Sequence, residues 1–172
     1  MVDTSLIKLF ARYNRETNEK MNGVIATLND DEWESDLSGF YKSVRSLCSH
    51  LYIADYNWIK RFKNLRDFPS LENEYLSSIH RMGDHLFIEK KEYLAERPKL
   101  DAVIDSFIEE ITEDDLSQNL IYKNYHGIEV NKNAGGLLLH MFNHQTHHRG
   151  MISVYLEILG KENDFYSLMG YL

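Results

Sequence analysis

The chain has 172 residues, of which 19 are Lys or Arg and 27 are Asp or Glu, for a formal charge of −8. That length suits one domain able to bury a core without disulfide or metal staples. With 43% hydrophobic and 27% charged residues it is no disordered chain, and its acidic balance argues against a nucleic-acid backbone as the main partner. Two prolines and nine glycines leave room for long helices rather than a loop-rich all-β fold, and the single cysteine, Cys48, precludes an internal disulfide.

The first fifteen residues carry Asp3, Lys8, Arg12 and Arg15, which interrupt the apolar region a signal peptide needs. No stretch reaches the roughly 18 consecutive apolar residues of a membrane span. The expectation is one cytoplasmic domain over residues 1–172, without membrane contact.

From Asp3 to about Leu28 the residues Leu6, Phe10, Tyr13, Thr17, Met21, Val24 and Leu28 recur at steps of three and four, the stripe of an amphipathic helix. The acidic, turn-prone stretch from Asn29 to Gly39 reads as a connection. A second stripe follows at Val44, Leu47, Leu51, Ala54, Trp58, Phe62 and Leu65, and Pro69 ends it. Two long helices joined by a short link pack most simply as antiparallel neighbours. Leu71 to His85 has weak periodicity and reads as a short helix or an ordered crossover. Glu89 to Ile111 is strongly helical in pattern, with a break or kink expected at Pro98, and Thr112 to Asp115 ends the run. Around His126-Gly127, the residues Leu120, Tyr122, Ile128 and Val130 predict a small β-hairpin. Asn133 then caps a last helix from about Ala134 to Leu159, with Gly160 as its stop. The tail keeps Phe165, Tyr166, Leu168, Met169 and Tyr171, apolar enough to fold back or meet a partner chain.

Four of the eight histidines crowd into LLLHMFNHQTHHRG: His140, His144, His147 and His148. On a helix, His144 and His148 are four apart and stack on one face, so their rings can converge on one ion. The same step occurs in the His-Glu-x-x-His helix of zinc proteases. Here Gln145 holds the second position, and an amide cannot act as a general base. Two ligands make a weak site, so a third must come from elsewhere. His50 is the best candidate, on the shoulder of the second stripe about 60° from Leu47 and 40° from Ala54. Metal sites in bundles are assembled this way from facing helices. Taken alone, an inward histidine is more often a hydrogen-bonded core residue. Cys48, about 200° around the helix from His50, cannot easily share its ion and reads as a small core residue. Trp58 and Phe62 read as core, His140 as packing or support for the site, and His147 as rim or solvated. His80, His85 and His126 fall in less regular segments and carry little weight.

With those residues in view the chain resembles the DinB/YfiT-like superfamily of metalloenzymes, and within it the DinB branch, over nearly its whole length. ARYNRETNEKM is similar to that family's first helix, with a Tyr-Asn followed by a second Asn. SLCSHLYIADYNWIKRF is similar to the second-helix motif, a His followed by Asp and Trp, here His50, Asp55 and Trp58. LLLHMFNHQTHHRGMI matches the most specific motif, Asn-His-x-x-x-His-Arg-Gly, at Asn143, His144, His148, Arg149 and Gly150. The resemblance implies an all-α four-helix bundle with a long crossover, commonly a homodimer, in which His50, His144 and His148 hold a divalent ion, zinc or nickel. Two positions depart from the pattern: Glu16-Thr17 stand where Trp is frequent, and Met151 where Gln is frequent. Neither touches a ligand, though Met151 could alter hydrogen bonding or packing beside the site.

Three neutral imidazoles would leave an ion charged and with open positions, the pattern of a catalytic rather than a structural site. Family analogy adds two reactions on a small-molecule substrate in stress or detoxification: hydrolysis, or transfer of a low-molecular-weight thiol. In either, the ion's own water or thiolate ligand is the expected reactive group and no side chain stands out as general base. The alternatives are a metal-binding module without catalysis and a dimerising helical protein. Asp55 could support a histidine Nδ1–H or pair with Arg61. Arg149 could orient an anionic substrate, but its place beside a glycine in mid-helix favours packing.

Overall fold

The structure is a computed structural model that describes residues 2–165 and 167–172; Tyr166 of the apolar tail lies outside the described residues. The first stripe folds as α1 (Thr4–Ala26), capped by the Asp3 carboxylate, which accepts from the Leu6 N–H at 2.8 Å. Its buried face is broader than the one the apolar residues predict. Tyr13, Thr17 and Met21 of the predicted stripe point inward, but so do Ile7, Ala11, Asn14, Asn18 and Ile25, whereas Leu6 is exposed. An apolar pattern cannot count buried asparagines, so it captures only part of this face.

The Asn29–Gly39 connection contains a helical turn, α2 (Asp30–Glu34), closed by a reciprocal capping box between Asn29 and Glu32. Helix α3 (Val44–Arg61) follows, continued by a 3₁₀ turn at Phe62–Asn64. Helix α4 (Lys90–Glu110) runs unbroken through Pro98, against the expected interruption. Pro98 is on the solvent face, where the carbonyl it leaves without a partner can meet water, while Tyr93, Arg97 and Leu100 pack beneath it. Thr112 does not merely end that helix. It caps another short one, α5 (Glu113–Ser117). Strands β1 (Asn119–Lys123) and β2 (Glu129–Asn133) form the expected antiparallel hairpin, Tyr122 opposite Val130, with Gly127 at φ +76° in its turn. Asn133 caps α6 (Ala134–Ile158) by accepting from the Gly136 N–H at 2.9 Å, and Gly160, at φ +74°, follows its end.

The four long helices form a square in which α1 and α3 each touch α4 and α6. Contacts fix their directions. Lys8 meets Glu109 and Asn18 meets Asp101, so α1 and α4 are antiparallel; Phe10 meets Phe142 and Asn18 meets Arg149, so α1 and α6 are parallel. His50 meets His148 and Trp58 meets His140, so α3 opposes α6. Parallel α3 and α4 require the long crossover that the family resemblance implies, and residues 62–89 supply it. Side chains of α3 pin this segment: Ser49 donates to the Leu86 carbonyl at 2.9 Å, Asn57 to His80 at 3.0 Å and Lys60 to Ser78 at 2.7 Å.

Two apolar clusters occupy opposite ends of the bundle, one around Tyr56, Phe62, Phe107 and Phe142, the other around Trp33, Leu47, Tyr93 and Tyr155. Cys48 is fully buried in the second, and burial pushes its thiol pKa well up, as suits a core residue rather than a reactive one. The tail folds back, with Phe165 buried and the Tyr171 ring edge-on to Tyr13 at 5.3 Å. No helix among the described residues is long and apolar enough to cross a membrane.

Candidate metal centre

The antiparallel contact of α3 with α6 brings His50, His144 and His148 together. The Nε2 of His50 is 3.2 Å from that of His144 and 3.2 Å from that of His148. Among the described residues this is the one group of three or more potential ligands that can hold a metal ion. The two separations from His50 match an edge of a coordination polyhedron. Nitrogens about 2.0–2.1 Å from one ion, at tetrahedral to octahedral angles, lie roughly 2.8–3.4 Å apart.

Burial draws the pKa of all three rings down, and the neighbouring imidazoles lower two of them further, to about 4 for His144 and about 3 for His148. At neutral pH the cluster is therefore uncharged, and neutral imidazole is the ligating form. Without an ion, three neutral rings share a space in which not every Nε2 can find a donor. The Nδ1 atoms of His144 and His148 meet no protein acceptor. Their orientation comes instead from ring packing. Tyr41 lies against His50 at 4.6 Å and edge-on to His148 at 5.5 Å, and His147 stands edge-on to His148 at 4.9 Å. Tyr41 escaped the sequence reading because it precedes the α3 stripe in an irregular segment. That segment is set by Tyr155, whose hydroxyl donates to the Tyr41 carbonyl.

The cluster opens into a pocket of about 580 Å³ whose lining includes Phe40, Tyr41, Trp58, Met82, Tyr125 and His140 as well as His50 and His144. This corrects the reading of Trp58 as core. Its ring is half-buried in the pocket wall, edge-on to His140 at 5.3 Å, whereas Phe62 is fully buried as expected. His140 and His147 are exposed at the site's edge. His85 also lines the pocket, a role its irregular segment concealed.

Asp55 supports neither a histidine nor Arg61. It is five residues beyond His50, so it points about 140° away around α3. There its Oδ2 accepts from Arg97 Nη1 at 2.8 Å. Arg97 also binds Asp101, whose Oδ1 accepts from Asn18 Nδ2 at 3.0 Å. Arg149 is buried and structural, donating to Asn14, to Asn18 Oδ1 at 3.2 Å and to Gln145 Oε1 at 3.5 Å. A layer of two guanidiniums and two carboxylates thus ties the four long helices together behind the histidines. Burial pushes Asp55 up from the usual carboxylate value while Arg97 pulls it back. Burial also opposes the charge on Arg97, yet Asp101 and Asp55 outweigh it and hold its pKa well above the ordinary value. Gln145 faces this layer, away from the pocket. Met151 packs half-buried against the Trp33 cluster.

The model of the DinB family matches residues 1–170. Protein DinB of Bacillus subtilis (strain 168) is 27% identical over 155 residues, covering 86% of this chain and 83% of that protein.

Proposed function

The chain belongs to the DinB family, and from that membership we propose that it is a divalent-metal-dependent enzyme, a thiol S-transferase or hydrolase acting on a small molecule. The observation that carries the reading is the convergence of three neutral imidazoles, the Nε2 of His50 being 3.2 Å from those of His144 and His148, beside a pocket of about 580 Å³. A zinc or nickel ion held by His50, His144 and His148 would supply Lewis acidity and lower the pKa of a bound water or thiol. The chain's own residues do the rest. Tyr41 and the ring stack orient the imidazoles, and Phe40, Trp58 and Met82 offer an apolar wall against which a substrate is desolvated.

A purely bracing role for the ion is less well supported, because the Arg97 layer already cross-ties the four helices without one. The same reading includes a homodimer, favoured by Val154 and Ile158, exposed four residues apart on α6. Light scattering giving the mass of one chain would remove that part.

The test of the site is elemental analysis of purified protein beside a folded His144→Ala/His148→Ala variant. About one zinc or nickel per chain, lost in the variant, is the expected result. No metal in either protein after reloading would sink the proposal.

A further inference from the structure

Along α3 the pocket follows a single stripe. From His50 its lining residues are Ala54, Asn57, Trp58 and Arg61, and eleven residues return almost to the starting angle on a helix. The histidines therefore mark one end of an elongated groove and Arg61 the other, about 16 Å along the helix axis. Ala54 leaves room between them.

Arg61 differs from most of the other arginines. Arg15, Arg45, Arg66 and Arg97 each pair with a carboxylate, and Arg149 is held by Asn14, Asn18 and Gln145. Arg61 is half-buried, with its guanidinium 4.4 Å from the Trp58 ring centroid and 5.0 Å from that of Tyr122. The two rings hold the fork in place, but it donates to no described residue and no described carboxylate lies within ion-pair reach. A guanidinium immobilised in a pocket wall with its donors unspent is organised for an anion that the chain itself does not provide. Burial lowers its pKa, which fits a charge without a counterion.

We propose that Arg61 is the anion-binding residue of this pocket, and that the ligand is an elongated small molecule with one carboxylate at the Arg61 end and its reacting atom at the histidine end. This rests on the metal-site reading for the histidine end only. The charge in the groove favours a monoanion. Besides Arg61, the only formally charged lining residue is Asp84, already accepting from the Arg81 N–H at 2.7 Å, and it would repel a phosphate dianion. A carboxylate matches the fork with two parallel hydrogen bonds. The body between the ends meets Tyr41, Trp58 and Met82, with Phe40 (88% exposed) and Tyr125 (79% exposed) at the rim offering apolar surface for it to cover.

The test compares 6-mercaptohexanoate with its neutral amide, 6-mercaptohexanamide. Both are titrated into cobalt-loaded protein, read by the thiolate-to-cobalt absorption band, and into metal-free protein, read by calorimetry. Wild type is expected to bind the acid about tenfold or more tighter than the amide, as a charge-assisted pair requires. Arg61→Gln should bring that ratio close to one without changing cobalt stoichiometry or amide affinity, and Arg61→Lys should restore part of it. An equal ratio in wild type, an unchanged ratio in Arg61→Gln, or no binding of the acid in either form would overturn the proposal. Failure of the metal reading shows separately, as absent cobalt uptake, while the acid-to-amide ratio of the metal-free protein still judges Arg61.

Discussion

Helix α6 presents two polar pairs one residue out of step, His144/His148 and Gln145/Arg149, and the bundle treats them in opposite ways. Gln145 and Arg149 turn into the interior, where Asn14, Asn18, Asp55, Arg97 and Asp101 complete a layer in which each guanidinium has its acceptors. His144 and His148, about 100° away, turn toward α3 and meet His50 through nitrogens that have only one another. The first arrangement gives both guanidiniums their partners within the chain, so it reads as architecture. The second brings like groups together with nothing to balance them, so it reads as a place for something else. A buried polar group is informative less for being buried than for whether its own chain satisfies it.

The comparison breaks most directly at Arg97. Arg97→Met strands Asp55 and Asp101 in the interior, and the expected loss is about 3–5 kcal/mol in urea unfolding. A loss below 1 kcal/mol would mean that the layer does not hold the helices. The histidines should behave in the opposite sense. Metal-free wild type and metal-free His144→Ala/His148→Ala should differ by no more than about 1 kcal/mol, since these rings make no hydrogen bond outside their own cluster. With free zinc at a hundred times its Kd, only wild type should gain, by about 2.7 kcal/mol. An equal gain in both proteins would move the ion elsewhere.

Much of this was readable from the sequence where periodicity or spacing carries the signal. Asn133, Gly160 and the His126-Gly127 turn each have local chemistry with few structural outcomes, and the i, i+4 pair His144/His148 needs only a helix to align. What escaped depends on partners distant in the chain. Nothing near Arg97 indicates that its carboxylate partners include Asp55, 42 residues away, and nothing near Trp58 shows that the crossover leaves it facing a pocket. The apolar stripe of α1 captured only part of the buried face for the same reason: Asn14 and Asn18 are buried because Arg149 is there to bind them.

The loop before α3 belongs to neither pair but supports the histidines, and it is expected to give the next largest effect. A Cβ on Gly39 would run into the Tyr155 hydroxyl, the group that holds the Tyr41 carbonyl. Gly39→Ala should cost about 1–3 kcal/mol by overpacking. Because Tyr41 packs on His50 and His148, it should also weaken zinc binding relative to wild type in a competition titration. Stability lost with zinc affinity intact would detach Tyr41 from the site.

The smallest effect expected is at Asp115, a satisfied ion pair at the end of the bundle rather than its middle. Its carboxylate accepts from Arg66 Nε at 2.8 Å and Nη2 at 2.9 Å, and from the Thr112 N–H at 2.9 Å. The Arg66 hydrogen bonds, opposed by burial and helped by Thr112, hold its pKa below the usual carboxylate value. A carboxyl group with a lowered folded pKa stabilises the fold above its unfolded pKa of about 4, and that contribution fades as pH falls through the folded value. Asp115→Asn should therefore cost about 1 kcal/mol at pH 7, modest because Arg66 is 38% exposed and its charge is screened. The deficit should shrink when urea midpoints are compared again near pH 2. A Asp115→Asn deficit that did not change with pH would mean that the cap on Thr112, and not the charge, is what this residue contributes.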